Sequence, residues 1–227
     1  MNDTPAKPAF DTAAAVTRSL LGWGVVAGGF YLVVGVVLAL TREGFDFARH
    51  PLSLLMLGDL GWIQKTNLIL SGLMAIAAAV GFARALRGSR TAVWAGGLIG
   101  GYGLCLIGGG VFPPDAMAGF PPGTETTTPT VDGMLHFGFG ALAFLLIAIA
   151  GFVVAAWQAG RGDTGWAWYS RISAIVVIVG FVGGGAMATQ TLGVVGLWIT
   201  VVAGWVWLAA ASVHAYRTVP HPDGGGA

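Results

Sequence analysis

The chain has 227 residues, of which 56% are hydrophobic and only 9% charged, with a formal net charge of +1 and a mean hydropathy of +0.78. So apolar a composition excludes a soluble domain, because too little polar surface remains to cover a core. The near-zero charge argues against a nucleic-acid partner. The lone Cys105 rules out a disulfide framework or a thiolate metal cluster within one chain.

Taken in order, residues 1–17 read as a short, mobile polar arm. Six apolar runs follow, each near the roughly 20 residues that a helix needs to cross the hydrocarbon. They cover residues 20–40, 63–86, 91–112, 135–157, 166–189 and 192–216. The second is the weakest, since Gln64, Lys65, Thr66 and Asn67 occupy its first turn. The first run is long for a signal core, and no A-x-A-like cleavage site follows it. Residues 218–227 read as a mobile tail. The predicted fold class is all-α: a polytopic membrane protein whose single domain, 18–217, is a bundle of six transmembrane helices with the lipid bilayer as its partner.

Basic residues set the orientation. With the N-terminus in the cytoplasm, Lys7, Arg18, Arg84, Arg87, Arg90, Arg161, Arg171 and Arg217 lie on the cytoplasmic side, against Arg42, Arg49 and Lys65 outside. This positive-inside bias predicts a multi-pass plasma-membrane protein with both termini cytoplasmic. The long loops 41–62 and 113–134 then face outward.

Glycines crowd the third and fifth runs, where small residues let helix backbones approach closely. Trp23, Trp62, Trp94, Trp157, Trp166 and Trp168 fall near predicted helix ends, as an interfacial belt would have them. A faint internal echo joins the hairpin from Asn67 to LIGGGVFPPD with the one from His136 to FVGGGAMATQ. A duplicated hairpin would put Asn67 and His136 in equivalent places.

The first outer loop, REGFDFARHPLSLLMLGDLGW, is too apolar to be a free loop. HPLSLLMLGDLG predicts a short interfacial helix, with Pro51 in its first turn, Gly58 ending it, and His50 and Ser53 on its polar side. In the second loop, FPPD ends the third helix, because proline cannot continue the hydrogen-bond ladder. Asp115 is thereby placed near the membrane–water boundary. Asp132 sits where an N-cap would, and His136 lies one turn inside the fourth helix. An imidazole at that depth needs a partner, and Asp115 is the nearest carboxylate the topology offers. Asp115, His136 and His50 are expected to converge in one outward-opening pocket, with Ser53 and Asn67 as further candidates.

The six-run arrangement, HPLSLL before the second helix, Asn67 within it, FPPD after the third and His136 opening the fourth resemble a bacterial and archaeal membrane family catalogued as domain of unknown function 998. The resemblance covers residues of about 18 to 215. It implies an integral membrane protein and carries over no activity, cofactor or catalytic residue.

Three readings of function follow. The outward pocket could bind a lipid or small amphipathic molecule in a receptor, sensor or accessory role, with Asp115, His136, His50 and Asn67 as polar contacts. It could instead hold a lipid-modifying or hydrolytic enzyme, with His136, Asp115 and His50 as acid–base groups or metal ligands and Ser53 as nucleophile. Neither HExxH nor G-x-S-x-G occurs, so no motif names the chemistry, a metal or a cofactor. A small transporter or channel is the third reading, weakened by a midplane without acidic residues. Oligomeric state is not encoded in any pattern seen.

Overall fold

The computed structural model describes residues 10–124 and 128–223; Lys7 and the outermost parts of the expected arm and tail lie outside the described residues. Six helices make up most of it: α1 (Thr12–Thr41), α2 (Gly61–Ala85), α3 (Arg90–Val111), α4 (Val131–Gly160), α5 (Thr164–Ala186) and α6 (Thr191–Thr218). All are long and apolar enough to cross a membrane, and the described residues form no strand. The chain is an all-α polytopic membrane protein.

Two helices start earlier than hydropathy indicates. α1 begins at Thr12 rather than near residue 20, because the Asp11 carboxylate accepts from the Ala14 amide at 2.9 Å and caps it. Residues 12–17 of the expected arm are therefore helical. α4 begins at Val131 rather than near residue 135. Each of these helices has 30 residues, about 45 Å of length against roughly 30 Å of hydrocarbon. Their polar turns project past the apolar layer, which hydropathy alone does not register.

Every helix packs on its neighbours in sequence, and α1 closes on α6, so the six form a ring. One end carries both described chain ends and the α2–α3 and α4–α5 turns; the other carries the two long loops and the α5–α6 turn. These are the terminal end and the capped end. At the terminal end the Asp11 amide donates to the Pro222 carbonyl at 2.7 Å, and Arg18 Nη1 donates to the Val219 carbonyl at 2.8 Å. The first residues of the expected tail thus lie bonded alongside α1.

Lipid supplies no hydrophobic drive between helices, so association relies on close approach and van der Waals contact. A β-carbon on Gly72 of α2 would stand 2.6 Å from the Gly103 carbonyl oxygen of α3. The α4–α5 seam varies along its length. A β-carbon on Gly151 would come 3.0 Å from that of Ala174, whereas nearer the capped end Phe144 and Phe137 lie 5.1 and 6.0 Å from the Phe181 ring. Toward the capped end, aromatic rings replace small residues in the contact between the two helices.

The first loop contains one 3-10 turn, Leu52–Met56, where a short helix was expected. Pro51 precedes it in extended conformation, and Gly58 follows at φ +71°, a left-handed value suited to glycine. Leu52, Leu54, Leu55 and Met56 are buried. The turn dips into the mouth of the ring rather than floating in lipid. Arg42 donates to the Leu57 carbonyl at 2.7 Å within this loop, and the second loop packs against it through the buried Phe120, whose ring lies 5.4 Å from the Arg42 guanidinium.

Candidate functional site

The two loops roof a cavity of about 390 Å³ inside the ring. Its walls come from every helix and from Ser53 and Leu54 of the 3-10 turn. Along α4 it reaches from Gly133 to Phe144, a depth of about 16 Å at the helical rise. One turn deeper, Ile147, Val177, Trp205 and Leu208 are all buried and fill the interior. The cavity therefore extends through only the capped half of the bundle.

His136 borders this space for a reason rooted in the FPP sequence. Pro113 has no amide hydrogen, so the Gly109 carbonyl at the end of α3 lacks its usual i+4 donor. The Phe112 carbonyl lies beyond the helix end. His136 Nδ1 sits 2.9 Å from both oxygens. Carbonyls only accept, so Nδ1 carries the proton, and in the neutral ring Nε2 is left with an outward lone pair. Among the described residues nothing hydrogen-bonds to Nε2.

Asp115 also lines the cavity, but it is not the partner of His136. Its carboxylate accepts from Thr130 Oγ1 at 2.6 Å and from the Thr130 amide at 3.1 Å. Thr130 Oγ1 in turn accepts from the Gly133 amide at 3.0 Å, making Thr130 the N-cap of α4. Asp132, expected to cap, sits inside the first turn and is exposed. Thr130, a residue type favoured at the N-cap, was the available signal for this cap. Gly133 packs directly on the Asp115 carboxylate. Asp115 and Thr130 thus tie the end of α3 to the start of α4, one turn above His136.

His50 stands apart from the cavity. Its Nδ1 accepts from the Asp46 amide at 2.8 Å, and its Nε2 donates to the Ala118 carbonyl at 3.2 Å. Phe45 and Phe120 flank the ring at 5.4 and 5.3 Å, and its backbone oxygen accepts from Trp198 Nε1 at 3.2 Å. With both nitrogens used, this imidazole pins one loop to the other and is not free to activate Ser53. Asn67 is likewise absent from the cavity wall. Its amide nitrogen donates to the Tyr31 carbonyl and to Gln64 Oε1, each at 3.1 Å, which ties α2 to α1.

The residues brought together are Asp115, His136 and Ser53, among apolar walls that include Leu68, Phe144 and Trp198. No hydrogen bond joins Ser53 to His136. No group of three His, Cys, Asp or Glu among the described residues is arranged to hold a metal ion. Tyr31, Trp198 and the three phenylalanines of the α4–α5 contact were not singled out from sequence, because apolar and aromatic residues in a membrane helix look the same whether they face lipid, core or cavity.

A family model described as a protein of unknown function, DUF998, matches residues 25–214. The chain belongs to the DUF998 family. The match takes in four helices whole, most of α1 and α6, and both capping loops, so the cavity of this DUF998 protein lies wholly within the family's domain. No curated protein and no solved structure matches the chain.

Proposed function

We propose that this DUF998 protein binds a lipid or small amphipathic molecule in the capped-end cavity, in a receptor, sensor or accessory role. The observation that carries the reading is the pairing of largely apolar walls with His136, whose Nε2 no described residue engages. A mostly apolar pocket with a few placed polar groups is the usual form of a small-molecule site. Phe137 borders the cavity and is also exposed at 60%, which supports entry from the bilayer beside α4. The capped end is taken as extracytoplasmic, in the plasma membrane, because most described arginines lie at the terminal end.

An enzymatic reading would use Ser53 as nucleophile and His136 as base. It is disfavoured because a nucleophile needs a base within hydrogen-bond reach, and the nearest histidine in sequence, His50, is fully engaged elsewhere. A transport reading must find a route past Ile147, Val177, Trp205 and Leu208.

Gly140 provides the test. It lines the cavity, and a β-carbon there would meet nothing within 4 Å. Gly140→Leu should therefore fill the space without disturbing the backbone. Native mass spectrometry of protein extracted from membranes should show an amphiphile on the wild type and its loss from the variant, with thermal unfolding unchanged. Equal retention by both proteins would remove the cavity from the function.

A further inference from the structure

We infer that the cavity selects a single-chain amphiphile with a neutral, hydrogen-donating head, of the monoacylglycerol or long-chain alcohol kind, taken from the membrane leaflet at the capped end. This deepens the ligand-binding reading and rests on it.

Depth argues for one chain in one leaflet. The cavity runs about 16 Å along α4, close to half of a hydrocarbon layer roughly 30 Å thick, and its floor is packed shut. Its volume of about 390 Å³ lies at the low end of small-ligand sites, which start near 300 Å³. Rings of Phe137, Phe144 and Phe181 form the α4–α5 contact at this level, so ring rotation lets a chain pass between α4 and α5. Gly140 of α4 and Gly185 of α5 also line the cavity, and a β-carbon at either would meet nothing within 4 Å.

The polar groups decide the head. Backbone carbonyls hold the proton of His136 on Nδ1, so Nε2 offers only a lone pair. Asp115 is an acceptor as well, and Thr130 already occupies part of it. Ser53 adds a hydroxyl to the same wall. Among the described residues no Lys or Arg lines the cavity. Of the two arginines that precede the roof turn, Arg49 donates to the Ala118 carbonyl at 3.2 Å and Arg42 to the Leu57 carbonyl at 2.7 Å.

An anionic head would meet a carboxylate and a lone pair with no lining cation to offset them, which costs free energy. A cationic head would gain less than the formal charge suggests. The Asp115 charge is already engaged by the Thr130 donors and lies at the positive end of α4. A hydroxyl donates to Nε2 and adds no charge.

The experiment compares head groups on one chain length, using the full protein in nanodiscs of neutral lipid. A 1-monoacylglycerol, the matching fatty acid, the matching lysophosphatidic acid and the matching alkylamine compete for a photoreactive monoacylglycerol. Wild-type protein should prefer the monoacylglycerol by about tenfold or more over both anions, the scale of one hydrogen bond plus an avoided charge clash. His136→Asn keeps a donor near the Nδ1 position and deletes the Nε2 acceptor, so monoacylglycerol binding should fall about tenfold. If that variant does not fold, Asp115→Asn supplies the second measurement: it removes the charge and should narrow the gap between fatty acid and monoacylglycerol. Equal or tighter binding of the fatty acid, the lysophosphatidic acid or the alkylamine, displaced by Gly140→Leu, would overturn the head-group assignment and leave the cavity reading standing. Labelling that is the same in wild type and Gly140→Leu would overturn both.

Discussion

A histidine with both nitrogens bonded and a histidine with one nitrogen spare have different jobs, and this chain holds one of each near the capped end. His50 spans Asp46 and Ala118, residues from two separate loops, so its value is structural. Replacing it with Ala would leave the Asp46 amide without its partner, leave the Ala118 carbonyl to Arg49 alone, and open space between Phe45 and Phe120. The expected loss is about 2–4 kcal/mol, seen as a large drop in thermal midpoint in detergent. Ser53→Ala should stay within about 0.5 kcal/mol of wild type, since no hydrogen bond depends on that hydroxyl. If His50→Ala unfolds no earlier than Ser53→Ala, the clasp between the loops is not what holds the roof. The topological reasoning that placed Asp115 and His136 at one end is supported by their shared cavity wall. It could not foresee that backbone carbonyls and Thr130 would take the bonds expected between them. The missing donor at Pro113 was readable from FPP, but which side chain would replace it depends on how α3 and α4 cross.

Helices were the most legible level. Long uncharged runs leave few alternatives once lipid is the solvent, because every backbone group must be satisfied within its own segment. Helix ends were less legible, since the polar turns of α1 and α4 carry no hydropathy signal; Asp11 and Thr130 end them by capping. Glycine content pointed correctly to tight packing, though composition did not say which seam each glycine serves. The α2–α3 seam gives a direct measure. Gly72→Val would drive a side chain into the Gly103 carbonyl and against Ile107, and the two helices would have to separate. The expected destabilisation is about 1–3 kcal/mol, with Gly97→Val as the control, because a β-carbon at Gly97 meets nothing within 4 Å. Equal effects of the two variants would show that close approach at Gly72 is not what stabilises the seam.

At the scale of the whole molecule, the ring has chemically unlike ends. One bears Arg18, Arg84, Arg87, Arg90, Arg161, Arg171 and Arg217; the other bears Arg42, Arg49 and Lys65 within and beside two packed loops. The positive-inside bias then predicts that a cysteine replacing the exposed Thr124 reacts with an impermeant maleimide added to intact cells, while one replacing Ser89 reacts only after permeabilisation. The reverse pattern would turn the molecule over and move the proposed ligand to the other leaflet.

Closure of the ring by α1 against α6 also bears on how the protein is made. Synthesis delivers helices in order, so α1 enters the bilayer with the face that includes Ala27 and Tyr31 still uncovered. Its partner Trp205, 5.2 Å from the Tyr31 ring, belongs to the last helix to emerge. Trp198 and Val201, also on α6, complete the cavity wall. Until translation reaches them, the nascent bundle is an open trough facing lipid, and acyl chains occupy the place that α6 will take. The cavity is therefore the last part of the bundle to be completed, because its wall waits on α6.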